Sequence, residues 1–310
     1  NGFAIVWLAI SIYDEVSIST NGGLAMAEEM QKLSIPDLVS MKREGKKISM
    51  ITAYSYPQGL LVDEAGIDII LVGDSLGMVE LGYSGTTPVT MEEMLAHIKP
   101  VTRAVKRAHV VGDMPFMSYN VSIEQAITNA GILYKEGACD SIKLEGGQEM
   151  AKTIEAIIRA GIPTFGHIGL TPQTAGMLGG FKVQGKSLDA AKKLIDDAIA
   201  VDEAGAFAIV LESIPRQLAK IISQKVKAIT IGIGAGMECD GQVLVFHDIL
   251  GLFKRFTPKF VKVYANAWDY ELKAIKDFID EVKEQKFPTD EFTYTMKEDV
   301  LNELSKYAGV

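Results

Sequence analysis

The stretch Ile67-Asp68-Ile69-Ile70-Leu71-Val72-Gly73-Asp74-Ser75-Leu76-Gly77 contains an apolar run that ends abruptly in Gly-Asp-Ser. Such a run is typical of a parallel strand that is buried on both faces of a sheet. In α/β folds the carboxyl ends of these strands carry the chemistry. We therefore expect Asp74 to meet a ligand rather than the hydrophobic core.

Similar runs recur along the chain and alternate with amphipathic helical stretches, which indicates repeated βα units and a parallel sheet. One of the helices starts at Thr90, where Glu93 completes a capping box. The eight predicted strands are residues 48–53, 67–77, 109–116, 140–146, 163–169, 207–213, 228–233 and 260–265.

Eight units over about 220 residues match the usual size of a (β/α)8 barrel. We therefore predict an α/β protein with a single (β/α)8 TIM barrel, parallel strands and an active site at the strand C-terminal ends. A doubly wound open sheet is the competing architecture, but its glycine-rich phosphate-binding fingerprint is missing after the first strand.

The composition narrows the class of protein and its partners. The chain has 310 residues, 48% of them hydrophobic and 23% charged, with a formal net charge of −9. Because there is no sustained block of Lys and Arg, we expect no nucleic-acid partner and no membrane surface, whereas a bound cation suits the negative charge. The two cysteines, Cys139 and Cys239, lack metal-ligand spacing and indicate a reducing, cytoplasmic location.

The first residues are interpreted separately from the domain. We expect residues 1–25 to be an N-terminal extension outside the domain, and residues 26–310 to form the barrel together with its C-terminal tail. The apolar segment Phe3–Ile10 is too short to span a bilayer. A signal peptide is not favoured, because no basic region precedes that segment.

Five polar residues fall in the last positions of consecutive predicted strands 2 to 6, namely Asp74, Asp113, Glu145, His167 and Glu212. Any one of them could simply cap a helix or face water. In a barrel, however, all five converge on one mouth. Carboxylates that face one cavity repel each other, and a shared proton or a hard divalent cation resolves the repulsion.

Three of these acids suggest a metal site. Asp74, Asp113 and Glu145 come from adjacent strands and offer the oxygen ligands that Mg²⁺ prefers, whereas zinc is disfavoured without a Cys/His cluster. Lys143 lies two residues before Glu145 and should point to the same side of its strand. It could bind an anion or act as a Schiff-base nucleophile, although a nearby metal would make the second role redundant.

Six segments stand out along the chain: Val72–Gly77, Gly112–Phe116, Ile142–Gly146, Gly166–Gln173, Val210–Glu212 and Ile231–Gly236. In this order they together resemble the ketopantoate hydroxymethyltransferase family, and the resemblance runs from about Ile35 to Phe287. A Gly-Asp-Ser at a strand end alone is less specific, since it also occurs in phosphoenolpyruvate mutase and isocitrate lyase relatives.

The resemblance implies a reaction and an assembly. A hydroxymethyl group would pass from 5,10-methylenetetrahydrofolate to the 2-oxo acid 3-methyl-2-oxobutanoate, through a Mg-stabilised enolate, to give 2-dehydropantoate (ketopantoate). This is the first committed step of pantothenate biosynthesis. The resemblance also implies a homo-oligomer, specifically a homodecamer. No stretch of the sequence itself indicates a folate site.

The resemblance also implies roles for individual residues. Asp74, Asp113 and Glu145 would form the Mg²⁺ site, the last two partly through water. Ser75 and Lys143 would hold the 2-oxo acid beside Asp74 and Asp113, and Glu212 would be the catalytic base. His167 would be a neighbour of the substrate, although a purely structural histidine is a serious alternative.

Three other functions stay open at this stage. They are a Mg²⁺-dependent C–C lyase or mutase acting on another 2-oxo acid, a Schiff-base aldolase that uses Lys143, and a non-catalytic barrel that serves as an oligomeric binding protein. Two segments carry further expectations. The glycine-rich loop 166–185 is a candidate lid, and the helix Trp268–Glu284 and the apolar-periodic tail through Met296, Val300 and Leu304 are candidate contact surfaces.

Overall fold

The computed structural model describes residues 31–310, in which eight parallel strands close into a barrel in sequence order. This confirms the predicted (β/α)8 barrel. The prediction for residues 1–25, and the proposed start of the domain at residue 26, lie outside the described residues. The strands are β1 Ile48–Thr52, β2 Ile69–Val72, β3 His109–Asp113, β4 Ser141–Lys143, β5 Thr164–Gly169, β6 Ala208–Glu212, β7 Ile229–Ile233 and β8 Gly241–Leu244.

Eleven α-helices are found within residues 31–310, together with short 3-10 turns at Gln148–Met150, Pro172–Thr174 and Asp290–Phe292. None of the helices in this range has both the length and the apolarity needed to cross a membrane. The helices are α1 Ile35–Arg43, α2 Tyr56–Glu64, α3 Leu76–Val79, α4 Met91–Ala104, α5 Ile123–Lys135, α6 Ala151–Arg159, α7 Leu188–Glu203, α8 Arg216–Lys225, α9 Phe246–Leu250, α10 Ala267–Lys283 and α11 Glu298–Ala308.

The helix starts follow from local hydrogen bonding. Thr90 caps α4. Its hydroxyl accepts a hydrogen bond from the Glu93 amide at 3.1 Å, and the Glu93 carboxylate accepts one from the Thr90 amide at 2.9 Å. This is the capping box that the sequence predicts. Ser122 and Ser187 cap α5 and α7 in the same way through their hydroxyls.

The predicted eighth strand, residues 260–265, is wrong. β8 is Gly241–Leu244, which follows β7 after only residues 234–240, with no helix between them, and pairs with β1. The alternating pattern of residues 260–265 is typical of a strand, but β8 already occupies the edges of β1 and β7. Residues 260–265 therefore lie outside the sheet, with Tyr264 66% exposed.

Gly241 shows why such a short, weakly apolar segment can close the barrel. A Cβ at this position would lie 2.4 Å from the Ile48 carbonyl oxygen and 2.6 Å from Cδ1 of Ile231. Only glycine lets the β8 backbone lie this close to the Ile48 carbonyl and to the Ile231 side chain.

The hydrophobic core has two parts. One fills the barrel interior, with Phe165 and Val111 fully buried and Leu38 of α1 packed against the same cluster. The other lies between the strands and the surrounding helices. Burial of each large apolar side chain contributes roughly 1.5–3 kcal/mol. Together the two parts of the core hold in place the strand ends at which the site residues lie.

Candidate active site

The carboxyl ends of the strands surround a cavity of about 550 Å³. Its floor is apolar and includes Leu71, Val210 and Val243. Every residue that the sequence assigns to the site lines this one cavity: Asp74, Ser75, Asp113, Lys143, Glu145, His167 and Glu212. The barrel thus brings together side chains from β2 to β6, while their individual roles stay predictions.

Asp74, Asp113 and Glu145 are all buried, with 1–5% of each residue exposed. The Asp74 amide donates a hydrogen bond to Oδ2 of Asp113 at 3.1 Å, so two of the acids are in direct contact. Burial raises the pKa of Asp74 well above its usual value, and the negative charges of Asp113 and Glu145 raise it further. Burial also raises the pKa of Asp113, although Lys143 opposes the shift.

Lys143 is the cation inside this cluster. Its Nζ lies 2.8 Å from Oδ1 of Asp113, and only 3% of the residue is exposed. Burial lowers the pKa of Lys143, but the surrounding carboxylates, Asp113 first, outweigh it, so the net pKa lies above the ordinary lysine value. A lysine held protonated is a poor nucleophile, which disfavours the Schiff-base aldolase.

His167 lies between two carboxylates. Its Nδ1 is 3.2 Å from Oε1 of Glu145, and its Nε2 is 3.3 Å from Oε2 of Glu212. Burial lowers the pKa of His167, but the charge of Glu145 overcomes this and raises it to about 9. The pKa of Glu145 changes in the opposite direction. Burial raises it, but the charge of His167 lowers it to below the usual value. These contacts have ion-pair distances but not aligned hydrogen-bond geometry.

Gln173 is a site residue to which sequence reasoning gave no role. Its Nε2 donates to Oδ2 of Asp74 at 2.9 Å and to the Met114 carbonyl at 3.0 Å, and its backbone amide donates to Oε2 of Glu145 at 3.1 Å. The Tyr119 hydroxyl, also missed, donates to Oε1 of Gln173 at 2.5 Å. The buried Gln173 therefore joins two predicted metal ligands. The only available signal was its place in the segment Gly166–Gln173.

Ser75 follows Asp74 at the end of β2 and is half-buried. Its hydroxyl lies 2.8 Å from the hydroxyl of Tyr54, which is 1% exposed. Because Tyr54 cannot move freely in the core, this contact fixes the direction in which the Ser75 hydroxyl points.

The acidic cluster suits Mg²⁺ better than a metal that needs a full set of protein ligands. In the part of the chain that the structure describes, no three His, Cys, Asp or Glu side chains converge as a ready metal cage. Mg²⁺ normally keeps several waters and takes one or two carboxylates plus substrate oxygens. The carboxylates of Asp74, Asp113 and Glu145 fit this pattern, and because Lys143 Nζ already lies 2.8 Å from Oδ1 of Asp113, their division into direct and water-mediated ligands stays a prediction.

Two segments that follow β5 and β8 also line the cavity, and we call them the rim. The loop after β5 contributes Phe181, Lys182 and Val183, so the predicted lid lies at the mouth, while its closure stays a prediction. The chain between α9 and α10 contributes the remaining rim side chains, Phe253, Phe256, Pro258, Lys259 and Phe260.

Comparison with known proteins agrees with this geometry. The sequence model described as ketopantoate hydroxymethyltransferase matches residues 32–290. The chain belongs to the ketopantoate hydroxymethyltransferase family. It is 54% identical over 275 residues to the 3-methyl-2-oxobutanoate hydroxymethyltransferase of Carboxydothermus hydrogenoformans, covering 89% of this chain and all of the relative. It is also 54% identical over 266 residues to the same-named protein of Moorella thermoacetica, covering 86% and 99%.

Membership of the ketopantoate hydroxymethyltransferase family confirms the predicted resemblance and makes this chain a transferase. Solved structures add support for the fold. The phosphoenolpyruvate phosphomutase of Streptomyces platensis subsp. rosaceus is similar with a TM-score of 0.55 at 15% identity, covering 89% of this chain and 96% of that one.

Proposed function

We propose that this chain transfers a hydroxymethyl group to 3-methyl-2-oxobutanoate and forms 2-dehydropantoate, with 5,10-methylenetetrahydrofolate as the donor. In the balanced reaction, the methylene carbon of the folate and a water molecule supply the hydroxymethyl group, and tetrahydrofolate leaves. The single observation that carries the proposal is the placement of Glu212 and the cations Lys143 and His167 in one cavity with the buried acids Asp74 and Asp113.

The acids and the lysine position the 2-oxo acid. Asp74 and Asp113 would hold Mg²⁺, with Glu145 contacting it through water. A bound Mg²⁺ supplies Lewis acidity that polarises the 2-oxo group and increases the acidity of the C3 hydrogen. The ammonium group of Lys143 lies in the same cluster and offers a positive charge where negative charge develops on the substrate oxygen. Ser75, oriented by Tyr54, offers its hydroxyl to the substrate carboxylate.

Glu212 is the proposed base. Its side chain is 16% exposed, more than those of Glu145 and Asp113, so it can reach a substrate in the cavity rather than being held in the cluster. It would remove the C3 proton and leave an enolate, whose carbon attacks the one-carbon donor. His167, 3.3 Å from Oε2 of Glu212, would hold this carboxylate in position.

The rim offers a place for the folate. A five-carbon 2-oxo acid fills only part of a 550 Å³ cavity, which leaves room for a second, larger substrate. The aromatic rings of Phe253 and Phe256 can contact the flat pterin. Lys182 and Lys259 can pair with the glutamate carboxylates of the folate tail.

The test is formation of 2-dehydropantoate from 3-methyl-2-oxobutanoate, measured with and without Mg²⁺ and with and without 5,10-methylenetetrahydrofolate. We expect product only when both are present. Cleavage of another 2-oxo acid, with no folate-dependent product, would instead indicate a C–C lyase.

A further inference from the structure

Asp248 is the one ionisable side chain on the described wall of the cavity that has no role in the proposed reaction. It lies in the first turn of α9, directly after β8, and is half-buried. Within residues 31–310, no hydrogen bond or ion pair holds its carboxylate. The adjacent His247 pairs with another acid instead, since its Nε2 lies 3.3 Å from Oε1 of Glu80. The carboxyl group of Asp248 is therefore free to meet a ligand in the cavity.

The surroundings of Asp248 suit a group that exchanges protons. Burial raises its pKa from the usual value of 3.8 to about 6, although the charge of His247 opposes the shift. A general acid or base works best when its pKa lies near the operating pH, because both of its forms are then available. The protonated carboxyl donates a hydrogen and the ionised form only accepts one. Asp248 can therefore act as an acid and as a base in turn.

One side of Asp248 adjoins the residues that are proposed to hold the 2-oxo acid. The ring of His247 packs against the ring of Tyr54, with 5.6 Å between the ring centroids. Burial raises the pKa of Tyr54, and the negative charge of Asp248 adds to the shift, so the carboxylate lies close enough to act on this phenol. The Tyr54 hydroxyl in turn contacts the Ser75 hydroxyl at 2.8 Å.

The other side of Asp248 leads to the rim, where the folate is proposed to bind. The Asp248 carbonyl accepts a hydrogen bond from the Gly251 amide at 3.2 Å, and Gly251, with a φ of 69°, ends α9. The chain turns back at this left-handed residue, and Phe253 and Phe256 then line the cavity. Asp248 thus adjoins both the Tyr54–Ser75 pair and the segment that carries these aromatic rings.

The chemistry of the proposed product calls for an acid–base group besides Glu212. C3 of 3-methyl-2-oxobutanoate carries a single hydrogen, so none is left once the new C–C bond has formed. If the enolate attacked a carbon that was still bound to a folate nitrogen, that nitrogen could not leave by elimination across C3. Water would have to displace it beside a fully substituted carbon, which is sterically blocked. Water should therefore reach the one-carbon unit before the C–C bond forms.

We propose that Asp248 is the acid–base catalyst that releases the one-carbon unit of 5,10-methylenetetrahydrofolate as formaldehyde inside the cavity. Protonated Asp248 donates its proton to N10, the bond from N10 to the methylene carbon breaks, and the electron pair of N5 forms a double bond to that carbon. The Asp248 carboxylate then takes a proton from the water that adds to this carbon. The hydroxyl proton passes to N5 as the remaining C–N bond breaks, which leaves tetrahydrofolate and formaldehyde.

These steps deepen the proposed function and rest on it. The enolate carbon attacks formaldehyde, and the alkoxide that results takes up the proton that Glu212 removed from C3. Asp248 ends protonated, as it began, so one water is consumed and no other reactant is needed. The two carboxyl groups thus divide the work: Glu212 serves the 2-oxo acid and Asp248 serves the folate.

Three assays on Asp248→Asn, all with Mg²⁺, separate the two roles, because asparagine keeps the size of the side chain but not its proton affinity. With 5,10-methylenetetrahydrofolate that is free of added formaldehyde, we expect 2-dehydropantoate formation to fall by roughly 10²–10⁴-fold. With formaldehyde in place of the folate, product should form at the parent rate. Exchange of the C3 hydrogen into deuterated water should also stay at the parent rate, which shows in addition that the variant has folded.

Two control variants accompany Asp248→Asn. Glu238 is exposed in the loop before β8 and is not part of the cavity wall, so Glu238→Gln should leave all three rates unchanged. Glu212→Gln should lower all three, because every assay includes enolisation.

Three results would overturn the role of Asp248. They are a folate-dependent rate that Asp248→Asn leaves unchanged, an equal loss of all three rates in this variant, and a parent protein that makes no product from formaldehyde. A parent protein that makes no product from the folate would instead contradict the proposed function itself.

Discussion

Nε2 of His167 lies 3.3 Å from Oε2 of Glu212, on the side of the imidazole opposite Glu145. A single buried ring thus connects the proposed base with the acidic cluster. Because the pKa of His167 is raised to about 9, the ring is positively charged at neutral pH. The sequence predicted only that His167 neighbours the substrate, and the structure gives this residue a charge and two partners.

The charge of His167 predicts a pH dependence of stability. Its folded pKa of about 9 lies above the ordinary value of 6.5, so the folded protein binds this proton more tightly than the unfolded chain does. The stabilisation is complete below about pH 6.5 and is lost as the pH rises through 9. Melting temperatures of the parent and of His167→Gln should therefore differ most near pH 6 and converge above pH 9. A constant difference would contradict a charged His167.

Asp74→Asn should separate metal binding from folding. Because burial and neighbouring charges raise the pKa of Asp74, its ionised form destabilises the metal-free protein above about pH 4. Asparagine keeps the size and the hydrogen-bond acceptor for Gln173, so the melting temperature without Mg²⁺ should stay the same or rise. Calorimetry should show loss of Mg²⁺-dependent binding of 3-methyl-2-oxobutanoate. Undiminished binding would remove Asp74 from the site.

Gln173 should be needed to keep the acids in place. Gln173→Ala removes the Nε2 group that donates to Asp74 and to the Met114 carbonyl, and it leaves the buried Tyr119 hydroxyl without its acceptor. Each such loss costs about 1–3 kcal/mol in stability. Denaturant unfolding should show a decrease of this size, and the Mg²⁺ concentration for half-maximal activity should rise. Tyr119→Phe is the control: it removes the hydroxyl that bonds to Gln173 and to the Glu145 amide but keeps the hydrogen bond from Gln173 to Asp74, so it should show the smaller effect on Mg²⁺.

Gly241→Ala tests the position of β8. The new methyl group would meet the Ile48 carbonyl and the Ile231 side chain, and such overpacking typically costs about 1–3 kcal/mol. Gly131→Ala is the control, because it lies inside α5 with no heavy atom within 4 Å of the added Cβ. It should be stabilising by about 0.5–1 kcal/mol. Equal effects of both changes on chemical denaturation would contradict the tight closure at Gly241.

The sequence predicts seven of the eight strands, because buried parallel strands form long apolar runs. It also predicts that the site residues converge, because each of these runs ends in a polar residue. It does not reveal β8, since Gly241-Gln242-Val243-Leu244 is short and the longer pattern at residues 260–265 competes with it. The role of Gln173 depends on the path of the loop after Gly169. That path places a side chain against Asp74, 99 positions away in sequence, which no local pattern encodes.

The central claim is that Glu212 removes the C3 proton, and hydrogen exchange tests it most directly. Exchange of the C3 hydrogen of 3-methyl-2-oxobutanoate into deuterated water, followed by NMR with Mg²⁺ and without folate, isolates this step from transfer. Glu212→Gln keeps the size of the side chain but removes its basicity. We predict that exchange falls by roughly 10²–10⁴-fold, while calorimetry shows that Mg²⁺ and the 2-oxo acid still bind. Exchange at the parent rate would contradict the account and point to another base, with His167 the first to examine.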